Sequence, residues 1–238
     1  TVVKNNQNDI LKTIFSIKNQ CFKNFEYLII DGKSKDQTIS NILKKKRFIN
    51  KLISEKDHGI YDAMNKGLKE ASGKVIVYVN SGDKLTKNGL KFIYQKFSEN
   101  PKINFVFGTV KRNYTKGTIL KYGFNPKRLD YNFDFATSHS TGFFIKRDSF
   151  NKVGKFNLKY KCSSDYDLYF RVLKKYKMKG SFTDKTKLVG IVKSGGYSSK
   201  ISFMDHLIEE TKIRLDNGQN KIMISLIFIN AIIKKIFK

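Results

Sequence analysis

Residues 75–83 read Val75-Ile-Val-Tyr-Val-Asn-Ser-Gly-Asp83. Five residues of high β-propensity run into Asn, Ser and Gly and stop on a carboxylate. A stretch apolar on both faces is what a strand covered on both sides requires, as in a parallel sheet. Its turn leaves Asp83 at the carboxyl end of the strand, where open α/β sheets bind their ligands. The ordinary alternative is a turn that happens to contain an Asp. The flanking sequence weighs on this choice.

Upstream, strand-like and helix-like patterns alternate. Thr1–Lys4, Phe25–Ile30 and Phe48–Ser54 read as strands. Between and after them, residues 9–19, 36–46 and 60–71 carry apolar residues at helical spacing. The third helix ends at Ser72-Gly73, a suitable C-cap. Downstream, Leu85–Phe97 reads as a helix and Ile103–Phe107 as a fifth strand. Such alternation with short connections predicts βαβ units and a mostly parallel sheet. Asp31 and Asp83 then stand at matching carboxyl edges. The second half is less regular. It offers a strand pair over 110–122 around Lys116-Gly117, a polar and aromatic loop over 131–140, a strand at 141–145 and a helix over 165–175. The tail, 221–238 (KIMISLIFINAIIKKIFK), is apolar with basic ends. It is too short to span a bilayer readily and reads as an interfacial helix or one docked on the core.

Composition narrows the class. The chain has 238 residues, 40% of them hydrophobic, which suits a globular core. Its two cysteines, Cys21 and Cys162, are far apart and show no zinc or redox spacing, so a reducing compartment fits. The opening TVVKNN has no basic-then-apolar leader and begins within a strand, so residues are expected ahead of Thr1. The formal charge is +27. Such a field attracts nucleic acid, anionic membrane or phosphorylated substrates. The joint abundance of Lys, Asn and Ile is also what an AT-biased genome produces. The lysines are dispersed, with KKKR at 44–47 the densest run, and no aromatic RNA-binding signature appears.

The motifs expected of the commoner nucleotide folds are missing. No GxGxxG follows the first strand, which disfavours a nicotinamide or flavin enzyme. GxxxxGK[ST] and GxSxG are absent too. What remains is a sheet that binds nucleotides through side-chain carboxylates.

Five segments in order resemble glycosyltransferase family 2: TVVKNN, IIDGKSKDQT (29–38), SEKDHGIYDAMNKG (54–67), YVNSGD (78–83) and HSTGFFIKRDSFNKVGKFNLKYKCSSDYDLYFR (139–171). GGYSS at 195–199 resembles a late segment of that family. The nearest subgroup is the bacterial exopolysaccharide and lipopolysaccharide transferases of the colanic acid type. The resemblance implies a GT-A fold, an α/β architecture with a mostly parallel central sheet flanked by helices, here with a C-terminal helical extension. Residues 1–218 would form the GT-A domain, 1–108 being the nucleotide-binding half and 109–218 the acceptor-side half. Residues 219–238 would form the basic apolar helix.

Site residues follow from the same resemblance. Thr1 and Val3 would line the nucleoside pocket. Asp31 would accept hydrogen bonds from base or ribose, and Asp57, with Glu55, would approach the nucleoside. Ser81, Gly82 and Asp83 occupy the metal-binding acidic motif, with Asn80 and Gly82 where relatives often carry Asp. Asp83 would hold Mg2+ or Mn2+, and Gly82 would let backbone approach the phosphates. Lys66 is the cation nearest the place where relatives put an arginine for the diphosphate, or else a solvated surface charge. Asp165, in SSDYDL with Ser164 in place of the first acid, would be the catalytic base. The alternative for Asp165 is an N-cap. His139 would lie near acceptor or metal, or be a structural histidine.

The expected activity is metal-dependent, inverting transfer of a sugar from a nucleoside-diphosphate donor, UDP-linked by preference, to a hydroxyl of a glycan or lipid-linked glycan in bacterial surface polysaccharide synthesis. The expected setting is cytoplasmic, with peripheral contact to the anionic inner face of the plasma membrane and no nucleic-acid partner. The alternatives are a catalytically degenerate nucleotide-sugar-binding relative and a basic nucleic-acid-binding protein. Specificity for sugar, donor base and acceptor is expected in the variable loop around 122–138.

Overall fold

The structure is a computed structural model that describes residues 1–114, 117–131, 135–137 and 139–237. Three parallel strands open it: β1 (Val2–Val3), β2 (Leu28–Asp31) and β3 (Lys51–Ser54), in spatial order β1-β2-β3. They are linked by α1 (Ile10–Lys18) and α2 (Thr38–Leu43), and α3 (Ile60–Glu70) follows β3. Ser81 donates its backbone N–H to the Val2 carbonyl (3.3 Å), which joins this sheet to the turn after residues 75–79.

The 75–79 segment is shorter as a strand than its sequence predicts. Only β4 (Val75–Ile76) is paired, antiparallel to β9 (Phe143–Lys146), at the edge of its sheet. Its apolar character still serves burial, because Ile76, Tyr78 and Val79 are all in the core. That sheet runs β10 (Gly180–Phe182), β6 (Phe105–Phe107), β9, β4. A third runs β5 (Lys84–Leu85), β11 (Leu188–Val192), β7 (Thr109–Tyr114), β8 (Gly117–Lys121). The predicted strand pair is therefore present as β7 and β8, its turn residue Lys116 lying outside the described residues. The predicted 85–97 helix is α4 (Gly89–Glu99), displaced because Lys84–Leu85 is taken into β5.

The sheets divide two cores by simple alternation. Phe105 and Phe107 belong to one apolar cluster and Val106 to the other, and Ile30 and Ile29 separate in the same way. One face carries Ile10, Ile14, Ile17 and Ile42 from α1 and α2. The other carries an aromatic cluster of Phe105, Phe107, Phe143, Phe135 and Tyr169, with ring centroids 5.1–5.8 Å apart. Each such ring fully withdrawn from water contributes about 1.5–3 kcal/mol.

Four helices complete the chain: α5 (Arg147–Val153), α6 (Ser164–Phe170), α7 (Phe203–Asp216) and α8 (Lys221–Ile236). A π-helical turn, Arg171–Lys175, extends α6. Ser202 caps α7 by accepting the Asp205 N–H (3.1 Å), and Asn220 caps α8 through the Met223 N–H (3.1 Å). Residues 132–134 and 138 of the expected specificity loop lie outside the described residues.

Candidate active site

A cavity of about 970 Å³ opens where the strand ends converge. Its floor holds Val2 and Val3 of β1, Asn80, Ser81 and Asp83. Asp57, the start of α3, Arg112 of β7, His139 and Asp165 also line it, with Asp165 bonded to Tyr61 of α3 (3.2 Å). Residues 193–197 close one rim, and His206 and Glu210 of α7 complete the lining. The whole chain carries 47 basic to 20 acidic residues. The cavity, by contrast, is balanced: Lys4, Arg112, Lys121, Lys193 and Lys200 face Asp9, Asp57, Asp83, Asp165 and Glu210.

The NSGD turn is held by side chains of two other segments, Thr13 behind the cavity and Asn6 in its lining. Buried Thr13 of α1 accepts the Gly82 N–H (2.9 Å) and donates to the Asp83 carbonyl (2.8 Å). Asn6 donates to the Ser81 carbonyl and hydroxyl (3.2 and 3.0 Å). Asp83 itself is only 4% exposed. The Thr141 hydroxyl donates to its Oδ2 (2.7 Å), and the Lys193 backbone N–H to its Oδ1 (2.9 Å). Burial raises its pKa to about 6, against the pull of these two donors and of Arg112.

His139 Nδ1 accepts the Thr141 N–H (3.2 Å), so the imidazole proton sits on Nε2. Burial, with the Arg112 charge, depresses its pKa to about 3, so it is neutral at physiological pH. Its Nδ1 lies 3.9 Å from Asp83 Oδ2, a contact between a neutral ring and a carboxylate rather than an ion pair.

Asp165 is in the first turn of α6. Its Oδ1 accepts from the Tyr166 N–H (3.0 Å) and the Tyr61 hydroxyl (3.2 Å). Burial raises its pKa to about 6, opposed by these bonds and by Arg112. The Ser164 hydroxyl beside it is buried with no hydrogen-bond partner among the described residues.

The structure brings Val3, Asp57, Ser81, Asp83, His139 and Asp165 to one cavity. Thr1, Asp31, Lys66 and Gly82 are not part of its lining. Thr1 Oγ1 accepts from Tyr27 (3.0 Å). The fully buried Asp31 carboxylate accepts from the Ser34 N–H (3.0 Å), the Ser34 hydroxyl and the Ser54 hydroxyl (2.7 Å). It therefore organises the loop after β2. Lys66 is turned to Glu55 (2.9 Å), Asp62 (3.4 Å) and the Lys56 carbonyl (2.7 Å). Gly32 has a steric reason: a Cβ there would overlap the Asp57 carboxylate, which leans over it toward Lys4 (3.2 Å).

Sequence reading missed Asp9, Arg112, Lys193 and Glu210. Arg112 bears electrostatically on Asp83, His139 and Asp165 together. Lys193 ties two parts of the site, through its backbone to Asp83 and through its ammonium to Asp9. Glu210 has its pKa raised to about 7, chiefly by burial.

One carboxylate suffices for a divalent ion here only if the ligand supplies the rest. Asp83 keeps one lone pair on each oxygen after its two bonds. Asn80 Oδ1 and Thr137 Oγ1, buried in the same wall, have no hydrogen-bond partner among the described residues. Those residues contain no group of three or more His, Cys, Asp or Glu arranged to hold a metal. This donor set fits an ion bridged by diphosphate oxygens and water, and not a caged resident ion.

Known structures share this architecture. TarS from S. aureus superposes with a TM-score of 0.72 over 97% of this chain and 42% of its own, at 17% identity. Its 1–349 fragment with UDP-GlcNAc gives 0.70 over 97% of this chain and 70% of that chain, at 17% identity. The Pyrobaculum calidifontis mannosyltransferase PcManGT with GDP-Man and Mn2+ gives 0.66 over 97% and 66%, at 14% identity. The fold is thus GT-A. The profile of glycosyl transferase family 2 matches residues 1–156, and the chain belongs to that family. A PGL/p-HBAD biosynthesis glycosyltransferase of Mycobacterium tuberculosis is 28% identical over 162 residues, which is 66% of this chain and 61% of that relative. An uncharacterized glycosyltransferase of Rickettsia bellii is 35% identical over 108 residues, 44% of this chain and 15% of its own.

Proposed function

We propose that this protein is an inverting glycosyltransferase that moves a sugar from a nucleoside-diphosphate donor, UDP-linked by preference, to a hydroxyl of a glycan or lipid-linked glycan. The reading rests above all on one observation: Asp83 and Asp165 share a cavity with Val3, Asp57 and Ser81. The neighbours with UDP-GlcNAc and GDP-Man support a nucleotide-sugar donor.

Asp165 takes the proton from the acceptor hydroxyl as it attacks the anomeric carbon, and the bond to the diphosphate breaks on the opposite face. A raised pKa suits a base working near neutrality. Val3 and Asp57 hold the nucleoside, and Ser81 with Gly82 shapes the backbone near the diphosphate. Asp31 supports that pocket through its loop and Thr1 through β1. Lys66 would contribute only from outside the cavity. Asp83 would hold Mg2+ or Mn2+, whose charge offsets that developing on the leaving nucleoside diphosphate. Arg112 adds a cation whose charge favours the ionised form of both carboxylates. His139, itself neutral, accepts the Thr141 N–H and so helps hold the residue whose hydroxyl bonds Asp83.

A peripheral membrane setting in surface polysaccharide synthesis accords with α8. Ile222, Leu226, Ile229, Ile233 and Ile236 are 47–73% exposed, beside Lys234 and Lys235. No helix of the described residues is long and apolar enough to cross a membrane. An apolar face with basic ends matches an anionic interface.

Thermal unfolding with UDP, GDP and dTDP, each with Mn2+ or EDTA, tests the donor site. A nucleotide at about 100 times its Kd stabilises by ~2.7 kcal/mol, or about 5–11 °C for a chain of this size. The expected result is a metal-dependent rise for one nucleotide that disappears in Asp83→Asn. No rise with any nucleotide would count against donor binding.

A further inference from the structure

Asp165 follows a short segment that a different helix holds in place. Residues 161–163 lead into α6, and the Ser163 side chain makes no capping hydrogen bond. The N–H groups at this entry are met instead by Glu209 of α7. Its Oε2 accepts from the Cys162 N–H (2.8 Å) and the Ser163 N–H (2.7 Å), and its Oε1 from the Lys161 N–H. Oε2 also accepts the Cys162 thiol (2.8 Å). One carboxylate thus satisfies three consecutive backbone donors, as a capping residue does, but from another element. Bonds to a charged acceptor are about twice as strong as neutral ones.

The opposite side is fastened by Tyr61 of α3. Its hydroxyl lies 2.9 Å from the Cys162 carbonyl and 3.2 Å from Asp165 Oδ1. Segment 161–165 is pinned between α3 and α7, and Cys162, Ser163 and Asp165 of it line the cavity. Glu209 does not line the cavity, whereas His206 and Glu210 on the same helix do. Cys162 is no nucleophile: burial, then the bond to Glu209, pushes its thiol up to about 12. It does report on the clamp.

We infer that Glu209 is a positioning residue, which by capping residues 161–163 from α7 sets where the Asp165 carboxylate stands. This rests on Asp165 being the base. Without the cap the loop is free to shift, and a misplacement of ~1 Å costs about 100-fold in rate.

The test uses the full chain with Cys21→Ser, which leaves Cys162 as the single thiol. Glu209→Ala, Glu209→Gln and Asp165→Asn are compared with this parent. Three quantities are read: nucleotide release from UDP-GlcNAc or GDP-mannose, whichever the parent hydrolyses; the melting-temperature rise with UDP or GDP; and the alkylation rate of Cys162 by iodoacetamide. Glu209→Ala is expected to lose about 100-fold in turnover, keep the nucleotide-induced rise and alkylate at least ~10-fold faster as the buried thiol is uncovered. Glu209→Gln, whose amide oxygen still accepts, should fall between. Turnover within twofold of the parent in Glu209→Ala, while Asp165→Asn has lost it, overturns the inference and leaves the base standing. Parental turnover in Asp165→Asn overturns the base and the inference with it. Unchanged alkylation, or loss of the nucleotide-induced rise in Glu209→Ala, also counts against a local clamp.

Discussion

Replacing Tyr61 with Phe removes one hydrogen bond to the proposed base while Glu209 still holds residues 161–163 in place. The ring packs 5.3 Å from Phe156, and Phe retains that packing. What is lost is a single O–H, shared between the Cys162 carbonyl at 2.9 Å and Asp165 Oδ1 at 3.2 Å. A donor to a carboxylate favours its ionised form, so removing it raises the Asp165 pKa further. The bond is long and shared, so its net worth is about 1 kcal/mol, or ~0.7 of a pH unit. A base acts when deprotonated, so turnover should rise as pH climbs through about 6 in the parent. In Tyr61→Phe that limb should sit near ~6.7. At pH 6 the ionised fraction then falls from about one half to about one sixth, a threefold loss, while at pH 8 the two proteins nearly match. The assay is nucleotide release from a sugar nucleotide between pH 5 and 8.5, with melting curves confirming that the variant is folded. His139 cannot supply the limb, because its pKa is held near 3. Glu210, at about 7, and Asp83, at about 6, titrate in the same range, so the limb must persist in Glu210→Gln, and its shift on loss of the Tyr61 hydroxyl, which bonds Asp165 and not Asp83, is what assigns it. A uniform loss at every pH, or a limb that stays or moves down, would refute the reasoning.

Two further outcomes follow from particular contacts. Lys66→Ala breaks two ion pairs and a bond to the Lys56 carbonyl, none of them in the cavity lining, so nucleotide-induced stabilisation should be unchanged and the melting temperature should move little, such contacts being worth about 0–1 kcal/mol each; loss of nucleotide binding would return Lys66 to the site. Gly180→Ala would drive a Cβ into the ring of the fully buried Phe105, which should cost ~3 kcal/mol and about 6–12 °C in melting temperature. A differential-scanning measurement showing no loss would mean that β10 can move away from β6.

The helices and strands of the first half were readable because apolar period and turn residues coincide there. The short β4 was not, since an apolar run records burial and carries no mark of its hydrogen-bond partner. Asp83 could be singled out because a turn at the end of an apolar run gives a carboxylate a recognisable place, and Asp165 only because SSDYDL resembles the family's acidic segment. Lys66 and Asp31 show the limit of that approach. Both sit in the expected segments, yet their side chains are claimed by Glu55 and Asp62 in one case and by Ser34 and Ser54 in the other. Arg112 lay in an unremarkable alternating stretch, and only the pairing of β7 with β11 aims it at the cavity. Glu209 had no local signal, because its role depends on α7 reaching the 161–163 loop.

The position of β11 bears on how the chain can be divided. Leu188–Val192 lies between β5 and β7, and Lys193 just beyond it bonds to Asp83 and Asp9. β10 likewise completes the sheet beside β6. A ribosome that has released residues 1–156, the span of the family profile, has therefore made two sheets that each lack a strand and a cavity without its closing rim. Assembly of the cavity waits on late synthesis, and truncation near residue 156 would expose strand edges to aggregation rather than yield a separable folded module.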